Sequence, residues 1–200
     1  METDRLETFS DGVFAIAITL LILEVRLPTA ESSSLARRLL ESWPDYLSYV
    51  ISFITIGIMW ANHHSIFNLI ARTTHGLVVA NLLLLMCVAF VPFPTGVLAE
   101  NLREAGSGRE TAAFFYSATF FVTALFYNLL WQTAARQNRL IRPGFEAAAA
   151  LVTRRYNLGP PSYLAATLAA IWSAPLSLAI CGALALLYVL PRREPSGVLD

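Results

Sequence analysis

Unbroken apolar stretches restrict this fold more than any other feature of the sequence. The run at 8–27 is close to the ~20 residues that carry a helix across a bilayer. Three more blocks follow at 43–69, 76–98 and 111–134, and a last apolar stretch covers 162–190. Only 14% of the 200 residues are charged, against 56% hydrophobic; soluble domains average about 25% charged. A water-soluble globule of this composition would lack the polar side chains to coat its surface. The fold class is therefore all-α, a polytopic membrane protein.

Punctuation between the blocks sets their ends. Pro28 closes the first. The connection at 29–42 is polar, and Leu35, Leu39 and Leu40 suggest a turn or two of amphipathic helix beside Arg37, Arg38 and Glu41. Trp43 and Tyr46 are aromatic anchors for one membrane interface. Pro92 and Pro94 should kink or close the third block. The segment 100–110 reads as a charged loop. The segment 136–161 reads as a cytoplasmic connection with five arginines and a short helix over 146–152, broken at Gly159-Pro160-Pro161.

The last stretch has 29 residues, too many for one straight span, with Pro175 near its middle. One kinked helix competes with two short helices, 162–174 and 176–190. The basic residues, all arginines, favour one reading. With a cytoplasmic N-terminus and six spans, the inner side receives Arg5, Arg72, the five arginines of 136–161, Arg192 and Arg193. The outer side receives Arg26, Arg37, Arg38, Arg103 and Arg109. Nine against five obeys the positive-inside rule, whereas five spans give seven against seven. Six transmembrane helices are expected, the last two short, in one transmembrane domain over 1–200 with both termini cytoplasmic. Glu2, Asp4, Glu7 and Asp11 surround Arg5 where a secretory signal needs a basic start, so the first block is expected to remain as a span.

Several functions are disfavoured. A formal net charge of zero argues against general nucleic-acid binding. Cys87 and Cys181 lie inside apolar blocks and form no disulfide framework. His63, His64 and His75 lack the spacing of a zinc site, and no fixed metal site is expected. Phosphate-loop, dinucleotide and nucleophile-elbow motifs are absent, so no catalytic residue and no enzyme is expected.

The residues with chemistry gather at the start of the first block and the end of the second. Ser10 or Asp11 suits an N-terminal helix cap. The alternative is a polar network, because ionisable groups inside a membrane pair or line water; Asp11, crowded by Arg5, Glu7 and Ser10, is a candidate to pair with an arginine or with a histidine of the His63-His64 pair. A carboxylate there would fix one imidazole. Asn81 and Asn128 suit hydrogen bonds between helices. Ile16, Leu20, Leu23 and Leu27 fall along one side of a helix. That face is either ordinary packing or the lining of a narrow pore. Thr19 either bonds back to the preceding turn or offers its oxygen to an ion. Glu24 and Arg26 stand at a pore mouth or face headgroups.

The run Arg5-Leu6-Glu7-Thr8-Phe9-Ser10-Asp11-Gly12, continuing through Ile16, Thr19, Leu20 and Leu23 to Glu24, resembles the opening of the prokaryotic TMEM175-type potassium channels, whose hallmark is an RxxxFSD start. The Trp60-Ala61-Asn62-His63-His64 stretch is similar to the second helix of that family. The resemblance implies a single-repeat, multi-pass protein of the cell membrane, a homotetramer around a central pore lined by the first helices. It implies a potassium-selective or potassium-preferring passive cation channel. Ile16 would form its narrowest ring and Leu20 and Leu23 further apolar rings, with Thr19 tuning ion preference. Arg5, Ser10, Asp11, Trp60 and one of His63 and His64 would tie the first two helices together. K+ is then the permeant ion; no cofactor is expected, and the partners are further copies of the chain, the bilayer and monovalent cations. The competing class is a secondary transporter or proton-coupled cation carrier, suggested by Asp11, the histidines and the proline-broken helices.

Overall fold

A computed structural model of the chain describes residues 3–27, 34–102, 107–136 and 140–189. Pro28, Arg103, Arg139, Arg192 and Arg193, which entered the expectations above, lie outside the described residues. Those residues form nine α-helices and no strand: α1 Thr3–Leu20, α2 Leu35–Glu41, α3 Trp43–Leu69, α4 His75–Phe90, α5 Pro92–Asn101, α6 Ser107–Ala135, α7 Glu146–Tyr156, α8 Gly159–Ala170 and α9 Ala174–Val189. A single 3-10 turn, Leu21–Glu24, prolongs α1. Four spans are long and apolar enough to cross a membrane: Thr3–Glu24, Trp43–Leu69, His75–Asn101 and Gly108–Ala135. With the shorter α8 and α9 beside them, the architecture is an all-helical polytopic membrane bundle.

Capping and proline chemistry account for the helix boundaries. Ser34 caps α2 by accepting from Arg37 N, and Thr74 caps α4 by accepting from Leu77 N. Pro92 lacks the N–H that would continue α4, but the chain keeps helical dihedrals through Val91 and resumes as α5. The third block is thus a kinked span ending at Asn101, not at 98. Pro160 and Pro161 do not break the chain as expected; they occupy the first turn of α8, where a missing N–H costs nothing. The last apolar stretch divides at 171–173, and Ser173 Oγ accepts from Leu176 N as α9 begins.

The segment 136–161 is more than a connection. Trp131 Nε1 donates to Thr153 Oγ1 at 2.8 Å, Tyr127 stacks on Tyr156 with centroids 5.7 Å apart, and Phe120 stacks on Tyr163 at 5.9 Å. Residue numbers fall on α6 as they rise along α7 and α8. The two short helices therefore form one arm running antiparallel to α6, which supplies α8 with a protein neighbour along its length.

Small residues let this arm approach closely. Ala112 and Ala113 of α6 and Ala166, Ala169 and Ala170 of α8 are all buried. In lipid, where tails are as apolar as leucine, such packing and buried hydrogen bonds hold helices together. One such bond set joins α3, α5 and α6. Thr95 Oγ1 donates to Val91 O, so Ser52 Oγ donates to Thr95 Oγ1 at 2.8 Å and accepts from Tyr116 OH at 3.0 Å. Ala71 N and Arg142 N bond to Leu140 O and Leu69 O, pinning the α3–α4 corner to the chain after α6.

Candidate functional site

The first helix presents two faces. Leu6, Ser10, Phe14, Ala17 and Leu21, spaced four, four, three and four, are buried against α3 and α4. Ile16 is 62% exposed, Leu20 40% and Leu23 65%. The span 3–24 is the least buried of the four. Its uncovered stripe is strongly apolar, so it is a surface without a partner inside the protomer. Thr19 lies on it and is exposed; its hydroxyl donates to Ala15 O and Ile16 O at 3.0 and 2.9 Å, leaving oxygen lone pairs for anything in front of the stripe. Gly12 is exposed too, and a Cβ there would meet nothing within 4 Å.

Behind the stripe runs a directional chain of hydrogen bonds. Ser10 Oγ donates to Leu6 O at 2.8 Å and so accepts from Asn81 Nδ2 at 2.9 Å. Asn81 therefore turns its Oδ1 to His63, and Nε2–H of His63 donates to it at 2.8 Å. His63 is a neutral Nε2–H imidazole in this arrangement, its Nδ1 buried without a partner. Its ring lies between Phe14 and Phe67, at centroid distances of 5.4 and 4.4 Å. Ser10, His63 and Asn81 are each fully buried. This relay fixes α1 to α3 through α4.

A second pair of contacts lies at the edge of the α1–α3 seam. Trp60 Nε1 donates to Asp11 Oδ1 at 2.8 Å, and His64 Nδ1 meets Glu7 Oε1 at 2.6 Å. Trp60 and His64 stack, with centroids 6.3 Å apart. The two histidines divide the work, His63 inside the relay and His64 at the rim.

Two expectations change. Ser10 and Asp11 cap nothing, because α1 begins at Thr3 and both stand well inside it. Asp11 pairs with an indole, not with an arginine or histidine, because helix phase turns it toward Trp60. Arg5, eleven residues before Ile16, shares the exposed stripe and makes no hydrogen bond or ion pair within the protomer among the described residues. Asn81 and Asn128 bond between helices as expected, Asn128 to Tyr156 O and Asn157 Oδ1, and Asn81 does so at the centre of the relay.

The far end of α1 is clamped separately. Arg26 pairs with Glu24 at 3.5 Å and Glu100 at 3.0 Å, and Arg26 N donates to Asp45 Oδ1 at 3.3 Å. Glu24 rests on Gly96, where a Cβ would sit 2.1 Å from its Oε2. No group of three His, Cys, Asp or Glu side chains suited to a metal occurs among the described residues. The arrangement is a rigidly backed helix with an outward apolar stripe and one row of hydroxyl oxygen.

Residues 5–92 match the family described as endosomal/lysosomal potassium channel TMEM175. The chain is 48% identical over 189 residues to a potassium channel of Streptomyces collinus, covering 94% of this chain and 91% of the relative. A potassium channel of Chamaesiphon minutus is 44% identical over 193 residues, covering 94% of each chain. The crystal structure of a lysosomal potassium-selective channel TMEM175 homolog from Chamaesiphon minutus superposes with a TM-score of 0.84 at 43% identity, over 93% of this chain and 95% of that one.

Proposed function

The chain belongs to the TMEM175 channel family, and from that premise we propose that it is one protomer of a passive, potassium-preferring cation channel. Four copies assemble in the cell membrane with α1 at the centre and the Ile16 stripe facing the axis. Both termini face the cytoplasm, the side that gathers more arginines. The observation that carries this reading is the two-faced α1: its back is locked by a buried polar relay, and its front is an apolar stripe with no neighbour.

A ring of Ile16 side chains cannot coordinate an ion as carbonyls do. It narrows the path and strips water, as hydrophobic constrictions do. K+ gives up its hydration shell more readily than Na+, so a tight, weakly coordinating ring favours K+. Thr19 lies three residues further on, and its lone pairs receive the partly dehydrated ion. Leu20 and Leu23 continue the apolar lining outward. The relay through Ser10, Asn81 and His63, with the Trp60–Asp11 contact, holds the ring radius by fixing the helix that carries it. Arg5 stands on the same stripe before Ile16, at the inner mouth.

The test is Ile16→Asn in purified protein reconstituted into liposomes. A polar ring wets the constriction, so cation flux rises and the K+ preference over Na+ falls. Unchanged flux and unchanged ion preference would overturn the role of Ile16.

A further inference from the structure

A cleft of about 530 Å³ lies between α3 and the α7–α8 arm, with α6 behind it and α9 adding Ala185. No residue of α1 lines it, so it is separate from the stripe assigned to ions. Phe120, Ala124 and Ile58 give it an apolar wall, and no lining residue is charged.

Two of the polar side chains on that wall are bonded back to the backbone of α3. Thr55 donates to Ile51 O, and Tyr127 donates to Met59 O. Asn62 is half-buried, lines the cleft, and makes no side-chain hydrogen bond among the described residues. An unpaired amide at membrane depth is costly, and intramembrane polar groups mark sites of function.

Depth identifies the occupant. The 27 residues of α3 extend about 40 Å, against about 30 Å of hydrocarbon. Thr55 is 14 residues from Leu69, about 21 Å and so near the midplane. Asn62 is seven residues from Leu69, about 10 Å and so just inside the hydrocarbon boundary on the side of the N-terminus. The cleft thus runs about 10 Å, from a few ångström below the glycerol-ester level to the midplane, within one leaflet. A free carboxylate would find no cation on its walls; a neutral ester carbonyl needs only a donor, and Asn62 is one.

We propose that this cleft binds one acyl chain of a bilayer phospholipid, whose ester carbonyl accepts a hydrogen bond from Asn62 Nδ2. The site is distinct from the ion path, and its occupancy is read by binding, not by flux.

The test uses full-length protein in nanodiscs containing a phospholipid with a diazirine midway along one acyl chain. After photolysis, peptide mass spectrometry maps the adducts. Adducts are expected on α6 around 120–127 and on α8 around 159–163. Ala124→Trp fills the cleft and removes nearly all of them, leaving adducts at exposed Leu186 and Leu187 of α9 unchanged. Ala185→Phe is the second filling variant, should the first not remain monodisperse. Asn62→Leu keeps the shape and lowers cleft labelling about five-fold, the worth of one neutral hydrogen bond. Three results would overturn the proposal: no cleft adducts in the native protein, equal labelling in the filled variants, or equal labelling in Asn62→Leu. Crosslinks from these peptides to a second copy would overturn it too, since the cleft would then be closed by protein.

Discussion

Asn81 carries more of the inner architecture than any charged residue. Its amide is the one group that both receives the proton of His63 Nε2 and donates to Ser10, and all three side chains are fully buried. Asn81→Leu keeps the volume but leaves a buried N–H of His63 with no acceptor. Leaving one such donor unmade costs about 1–3 kcal/mol, so the melting temperature of the detergent-solubilised protein should fall by several degrees. A variant that melts with the native protein would show that the relay is ornamental. Thr19→Val tests the front of the same helix. The swap is nearly isosteric and the side chain is exposed, so stability should change by less than about 0.5 kcal/mol. The lone pairs behind the proposed Ile16 ring are lost, and K+ over Na+ preference measured by bi-ionic reversal potential should decline. Ser10, Asp11, Trp60 and the two histidines were legible because polar residues are rare in these blocks and each stands out, whereas Asn81 at the centre and Glu7 at the rim were not assigned to the network. The pairings were not legible. Whether Asp11 meets an arginine, a histidine or Trp60 depends on how α1 is rotated against α3, which spacing within either helix does not determine.

At the scale of elements, alanines do the work that leucines do in a soluble core. The α7–α8 arm lies along α6 with Ala112, Ala113, Ala166, Ala169 and Ala170 all buried, and its α7 end is anchored by Trp131 to Thr153, by Asn128 to Tyr156 O and Asn157, and by Gln132 to Asn157. Ala170 is fully buried at the end of α8, so Ala170→Leu must push the two helices apart. Overpacking a close contact of this kind costs about 1–3 kcal/mol, and the melting temperature should fall. Leu168→Ala, at a position 46% exposed, is the control and should melt within a degree or two of the native protein. The first four apolar blocks were readable because each is long enough to declare itself. The two helices of the arm were readable too, but not their bounds or their docking along α6, since Thr153, Arg154 and Asn157 make the joint look like a loop and the double proline looks like a break until its place in the first turn of α8 is seen. The kink at Pro92 was expected; that helix resumes beyond it depends on Val91 keeping helical dihedrals, which composition does not reveal.

For the whole molecule, the decisive matter is what covers α1. The other long spans each bury more of their surface within the protomer, and the relay prevents α1 from rotating its stripe inward. Lipid alone would tolerate that stripe, yet lipid gives no reason to hold it rigid from behind with three fully buried polar side chains. Convergence of copies about an axis does, because ring radius then sets conduction. Cysteine crosslinking separates the two cases. Disulfides form only when Cα atoms come within about 7 Å, so if the stripe faces an axis, Ile16→Cys should yield covalent dimers under mild oxidant in the membrane. Ala17→Cys, one residue on but 1% exposed, should yield none. Background is low because native Cys87 and Cys181 are buried. Equal dimer yields from the two variants, or none from either, would place the stripe in acyl chains and remove the pore from this assembly.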